Sequence, residues 1–141
     1  MSLFNVFNVS GSALNAQTIR LNTTASNLAN AESVNGDESK VYRARHPVFQ
    51  AMMNNADAGL QGGDASVGVR VLGVVESQAP APMRYQPDSP VANKDGYVFM
   101  SNVNSIEEMT NMISANRSFA TNVECINTAR DLLLKTISMG H

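Results

Sequence analysis

Side chains able to do covalent or acid–base chemistry are few in this chain and lie far apart. Cys125 is the single cysteine, with no histidine near it in sequence to take its proton, so it reads as small core or interface filler rather than a nucleophile. His46 stands directly before Pro47 in a segment of strand-like composition and reads as a structural or surface residue; His141 is the last residue. Glu107 and Glu108 are adjacent, so on a helix their carboxylates diverge by about 100°. They make a poor acid–base pair and are better explained as first-turn acids complementing a helix dipole.

Other motifs fail on spacing. "NKDGY" (93–97) shares letters with a calcium loop but lacks the remaining acidic ligands and the distal glutamate, which leaves a turn. "GLQGGDASVG" (59–68) has no following Lys-Ser/Thr and is not a phosphate-binding loop. The eight methionines suit adaptable packing surfaces better than a cofactor. No catalytic, cofactor-binding or metal-ligating set converges, so the expectation is a protein that is not an enzyme and carries no cofactor.

Composition narrows the class further. The net charge is −2 over 141 residues. The arginines (Arg20, Arg43, Arg45, Arg70, Arg84, Arg117 and Arg130) are scattered, without the basic stripe that nucleic-acid binding needs. One cysteine rules out an intrachain disulfide, so packing alone must hold the fold. The first nineteen residues lack both the charged start and the apolar block of a secretory signal. Apolar runs such as "DLLLK" fall far short of the roughly 20 residues of a membrane span, so no direct membrane insertion is expected.

The elements that would position any site are clearest at the two ends. Phe4, Phe7, Gly11, Leu14, Thr18, Leu21, Ala25 and Leu28 alternate by three and four, with Phe7, Leu14, Leu21 and Leu28 seven apart. That is the seam of an amphipathic helix packing on another helix. Asn8, Asn15 and Asn22 form a flanking amide face. It suits packing with hydrogen-bonding neighbours, or is a solvated face that merely lacks charge. The C-terminal region repeats the spacing in Met109, Met112, Asn116, Phe119, Val123, Ile126, Arg130, Leu133 and Ile137, starting near Ser105 and stopping at Gly140. Asn116 and Arg130 interrupt this seam, where polar groups cost stability but can fix register. The two helices predict rods of roughly 37 and 50 Å.

Between them the composition turns to β. Residues 40–50 and 65–77 are rich in Val, Tyr and Phe, with Val67, Val69 and Val71 alternating at a strand period. The Gly-rich stretch between them (54–64) predicts a flexible loop. "QAPAPMRYQPDSP" reads as extended chain, and an Asp95-Gly96 turn leads into a short strand. The expected fold is α+β: long terminal helices forming a coiled-coil-like inner domain (1–36 and 102–141) and a β-rich middle domain (37–101). Two long apolar seams make a poor globular monomer and ask for neighbours; head-to-tail contacts would give an open helical polymer. The competing readings are a soluble coiled-coil regulator or export chaperone that forms a discrete dimer and, more remotely, a hydrolase using Cys125 or His46. At the end of the first helix, "ASNLANAE" crowds asparagines where the backbone must turn, and Asn30 could cap its own helix or bond a neighbouring chain.

These residues also carry a resemblance. "SGSALNAQTIRLNTTASNLANAES" resembles the signature of the bacterial flagellar rod-and-hook axial proteins, in which an amphipathic helix ends in "ASNLANA" (Ala25, Ser26, Asn27, Leu28, Ala29, Asn30, Ala31). "YRARHPVFQ" and the stretch from "VLGVVESQ" to "LLLKTISMG" resemble the rest of its proximal-rod members, notably Gly96, Tyr97 and Val98, the Asn102-Val103 step and "SANRSF". Departures exist: the usual Thr-Pro-Gly-Tyr after the signature is replaced by "SVNGDESKVY", a replacement shared by the members it resembles most. Ser89 and Ser101 stand where histidine and proline are common.

The resemblance implies a structural subunit of the basal-body rod, the torque-carrying shaft that crosses the periplasm and surrounds an export channel. It implies terminal helices in the inner layer and β structure outside. It also implies passage through the flagellar type III export apparatus without a cleavable signal peptide. The implied partners are other copies of itself, the rod proteins FlgB, FlgF and FlgG, and the adaptor FliE.

Overall fold

The computed structural model describes residues 3–53 and 67–140. The loop expected over 54–64 lies outside the described residues. Helix α1 (Leu3–Ala29) comes first, then strands β1 (Val34–Asn35), β2 (Arg45–Met53), β3 (Val67–Glu76), β4 (Met83–Tyr85) and β5 (Tyr97–Met100), and last helix α2 (Ser105–Met139). The chain is α+β. At 27 and 35 residues the helices are slightly longer than predicted, about 40 and 52 Å.

Helix α2 begins where Asn104 caps it, its side-chain oxygen accepting from the Ile106 and Glu107 amides at 3.1 and 3.4 Å. The cap thus lies one residue before Ser105. Helix α1 ends at its asparagines: the Asn30 amide and side-chain nitrogen both bond the Ser26 carbonyl, the latter at 2.8 Å, and the Asn30 carbonyl accepts from Ser33. In the single chain Asn30 caps its own helix, the first of the two roles open to it.

Strands β2 and β3 form an antiparallel hairpin in which Arg45 faces Glu76 and Phe49 faces Val71. The register slips between Val48 and Phe49, leaving Leu72 as an extra residue in β3, a bulge that bends and twists the ribbon. The second sheet has the order β1-β5-β4, all antiparallel. The predicted Asp95-Gly96 turn feeds β5: Asn93 accepts from the Asp95 and Tyr97 amides, and Gly96 takes φ +79°, where a Cβ would also press on the Tyr85 ring. Gly36 has a different constraint: a Cβ there would run into the Val91 carbonyl oxygen.

The two helices lie antiparallel. Arg20 of α1 bonds Asn111 of α2 at 3.2 Å, and Val6 borders a groove whose other walls are Ala120, Cys125, Ala129 and Leu132. On α2 a row of covered positions runs Glu108, Met112, Ala115, Phe119, Asn122, Ile126, Ala129 and Leu133, flanked by half-buried Ser105, Asn111, Ser118 and Val123. That row keeps a strict 4-3-4-3 spacing and contains Met112, Phe119, Ile126 and Leu133 of the predicted seam. Its other half is shifted by one residue, to 108, 115, 122 and 129. Met109, Asn116, Arg130 and Ile137 are exposed instead. The polar interruptions expected at Asn116 and Arg130 are therefore not in the α1-facing row; small and polar residues, Ala115, Asn122 and Ala129, occupy the contact because they let the helix axes approach.

One expectation needs correcting in part. Of the two readings of Cys125, core or interface filler, the core reading fails, because the residue is exposed one position outside that row. Glu107 and Glu108 both stand in the first turn of α2, as expected, Glu107 exposed and Glu108 buried.

Core volume is small. The buried apolar residues are Ala16, Ala31, Val41, Ala44, Ala81, Val98, Ala115 and Ala129, and the largest fully buried side chains are Val98 and Asn27. The chain exposes 9817 Å², whereas a compact monomer of this mass exposes about 7,100 Å². Large apolar side chains are exposed on α2 and on both sheets.

Among the described residues, one buried side-chain acceptor has no protein partner: Oε1 of Gln17 on α1. Replacing it with a group of similar length and no polar atom removes that desolvation cost, so Gln17→Met should stabilise the isolated chain by about 1 kcal/mol. A urea melt followed by circular dichroism reads this as a higher midpoint; a lowered midpoint contradicts the packing described.

Candidate assembly interface

Helix α1 places Asn27 on its inner side within the last turn, 0% exposed. Its amide grips one residue of the hairpin twice. Nδ2 donates to the Arg45 carbonyl at 2.8 Å, and Oδ1 accepts from the Arg45 amide at 2.9 Å. The side chain thereby pairs with Arg45 as a neighbouring strand would, and ties the helix end to the first residue of β2. Oδ1 accepts a second bond from the Tyr42 hydroxyl at 2.9 Å, and that hydroxyl also contacts Ser26 Oγ at 3.1 Å.

A second asparagine holds the same corner from the other helix. Asn102, three residues before α2, accepts from the Ala44 amide at 2.7 Å and donates to the Ala79 carbonyl at 2.9 Å. Ala44 precedes β2 and Ala79 follows β3, so one amide spans both ends of the hairpin, which the Ser77 amide closes further by bonding the Ala44 carbonyl at 2.7 Å. Two adjacent residues, Ala44 and Arg45, are thus bonded by two buried or half-buried amides, one from each helical end of the chain. Around this corner pack Ala31, Val41, Ala44, Ala81, Val98 and Ser101, all buried.

Charges decorate the corner without holding it. Arg45 bonds Glu76 through Nε and a terminal nitrogen at 3.1 and 3.0 Å, and lies 5.4 Å from the centre of the Tyr42 ring. Both partners of that ion pair are about half exposed, which limits its worth to about 1 kcal/mol. The Ser39 hydroxyl and then its amide hold the exposed Asp37 carboxyl below its ordinary value.

The remaining predicted positions fall into distinct places. Phe7, Leu14, Leu21 and Leu28 are half-buried, on the shoulder of α1 between the row that contains Val6 and Arg20 and the open face. The side chain of Phe4 lies outside the described residues. Asn8, Asn15 and Asn22 are exposed in the single chain, together with Gly11, Thr18, Ala25 and Ala29, so the outer face of α1 is a continuous stripe without charge. On α2, Val123 is half-buried beside the α1-facing row.

Of the signature residues, Asn27, Ala31 and Val98 are buried, Ser26, Leu28, Asn30, Gly96, Asn102 and Val103 half-buried, and Ala25, Ala29 and Tyr97 exposed, the last edge-on to Tyr85 with ring centres 5.2 Å apart. Sequence reasoning missed Tyr42, Ala44 and Arg45 as parts of the corner. Two of them act through backbone atoms, which no side-chain pattern announces. Among the described residues no group of three or more His, Cys, Asp or Glu could hold a metal ion, and no helix is long and apolar enough to cross a membrane.

Comparison with known proteins matches two segments of the chain to family descriptions. Residues 7–36 match the flagella basal body rod protein family, and residues 94–139 match the flagellar basal body rod FlgEFG protein C-terminal family. The flagellar basal-body rod protein FlgC of Salmonella typhimurium is 48% identical over 140 residues, 99% of each chain. FlgC of Escherichia coli O157:H7 is 49% identical over 140 residues with the same coverage, and that of Buchnera aphidicola from Schizaphis graminum is 40% identical over 143. Asn27 lies in the first matched segment and Asn102 in the second.

Removing either amide strands hydrogen-bonding groups of the buried corner. Asn27→Ala and Asn102→Ala should each destabilise the purified chain by about 2 kcal/mol or more. The double variant should depart from additivity by over about 0.5 kcal/mol, since the two side chains hold neighbouring residues. Urea midpoints measure all three, and an unchanged midpoint for Asn27→Ala would falsify the clamp.

Proposed function

The chain belongs to the FlgC family of flagellar basal-body rod proteins, structural rod subunits and not enzymes, and from that premise we propose that it is a proximal-rod subunit that assembles with copies of itself and neighbouring rod proteins into a helical tube. The tube transmits torque and encloses the channel through which later subunits pass. The terminal helices form its inner, coiled-coil-like layer and the β-rich residues 37–101 its outer part. Its neighbours are FlgB, FlgF, FlgG and the adaptor FliE, it sits within the periplasm, and it arrives through the type III export apparatus without a cleaved signal. A regulator or export chaperone acting as a discrete dimer has no support, since the full-length relatives are rod proteins.

The observation that carries this reading is the doubly bonded corner. A shaft subunit must convey force between layers without yielding where they meet, and directional hydrogen bonds in a water-poor site resist rotation better than apolar contact alone. Here Asn27 holds Arg45 and Asn102 holds the adjacent Ala44, so both helical ends meet at the start of the hairpin. The small core and large accessible surface agree with a subunit that completes its packing in an assembly.

The half-buried row Leu14, Leu21 and Leu28 supplies the test. In a rod-deficient strain complemented with this chain, Leu14→Glu, Leu21→Glu or Leu28→Glu, or removal of residues 1–28, should abolish rod assembly and swimming while synthesis of the chain persists. Normal flagella in those variants would overturn the reading.

A further inference from the structure

The outer face of α2 in its first turns carries an exposed apolar ridge: Ile106, Met109 and Ile113 are 78%, 50% and 62% exposed at i, i+3, i+7 spacing. The outer face of α1 is its opposite in shape. Asn8, Gly11, Asn15, Thr18, Asn22, Ala25 and Ala29 are all exposed and short, and none is charged, over about 32 Å of helix. Building on the assembly reading above, we propose that the Ile106-Met109-Ile113 ridge is covered by the outer face of α1 from a second copy of this chain.

Shape supports this pairing over the self-pairings. Large side chains pack well into a groove floored by glycine, alanine and threonine, and short residues let the axes approach. Pairing α1 with α1 sets short residues against short residues and leaves voids, while pairing the ridge with its own copy covers only about 11 Å of helix. Polarity agrees as well. A ridge of Ile and Met would be repelled by the charged outer face of an ordinary surface helix, and the amides of Asn8, Asn15 and Asn22 can turn their polar ends to the rim.

Area supplies a further support. The accessible surface of 9817 Å² exceeds that of a compact monomer by roughly 2,700 Å². A standard interface takes about 800 Å² from each partner. A single two-fold contact therefore leaves most of the excess uncovered. A contact in which one face meets a different face of the next copy repeats without closing, and gives every subunit two such interfaces from one design.

Single-cysteine chains test the pairing in the complemented rod-deficient strain, with native Cys125 replaced by serine. One chain carries Ile113→Cys; the other carries a cysteine in place of Asn8, Asn15, Thr18 or Asn22. After oxidation of intact cells, a disulfide-linked dimer is expected only where both chains are co-expressed, and the position that links gives the register. A dimer in either strain alone would mean that like faces meet, and would overturn the proposal. Swimming cells with no dimer at any of the four positions would also overturn it, leaving the rod reading untouched. A second arm needs no cross-link. Ile113→Val should swim and Ile113→Glu should not, with the helix content of the purified Glu variant unchanged; normal swimming by Ile113→Glu would refute a covered ridge.

Discussion

Everything in this chain turns on one corner, where two asparagine side chains stand in for the neighbouring strand that the hairpin lacks. A two-stranded ribbon is marginal by itself, and its first residue has backbone groups with no cross-strand partner on the outer edge. Asn27 supplies a donor and an acceptor to Arg45, and Asn102 supplies an acceptor to Ala44 and a donor to Ala79. Only an amide offers both functions in one uncharged group at this reach. Aspartate would lose the donor and bury a charge; leucine would leave the backbone groups unpaired. The "ASNLANA" signature thus contains one asparagine that joins layers, Asn27, and one that ends the helix, Asn30.

The corner matters because so little else is buried. Alanine dominates the apolar core and Val98 is its largest fully buried apolar residue. Small residues give close approach but little transfer free energy, so the isolated chain has a modest hydrophobic contribution and a well-specified polar joint. That balance suits a protein that must hold one geometry at its joint while leaving its faces free for neighbours. The bulge at Leu72 and the open outer side of the hairpin, with Val48, Leu72 and Val75 exposed, continue the same pattern.

Phase on the helices separates two kinds of contact. Met112, Phe119, Ile126 and Leu133 of the expected seam lie in the α1-facing row beside Glu108, Ala115, Asn122 and Ala129, whereas Met109 and Ile137 lie on the open side. A chain that packs faces both inside itself and against neighbours carries more than one apolar stripe per helix, and hydrophobicity alone does not say which is which.

From sequence alone came the two long helices, the two β segments on either side of the Gly-rich stretch, the glycine turn before β5 and the wide spacing of the few titratable side chains, because periodicity, turn residues and spacing are local properties; that the two segments pair as a hairpin came from the fold. Tertiary structure decided the rest. It set the phase of the α2 contact, the exposure of Cys125, and above all the meeting of Asn27 with Arg45 and of Asn102 with Ala44 across 18 and 58 residues of chain. Those bonds end on backbone atoms, which every residue possesses, so no side-chain pattern could announce them before the chain was folded.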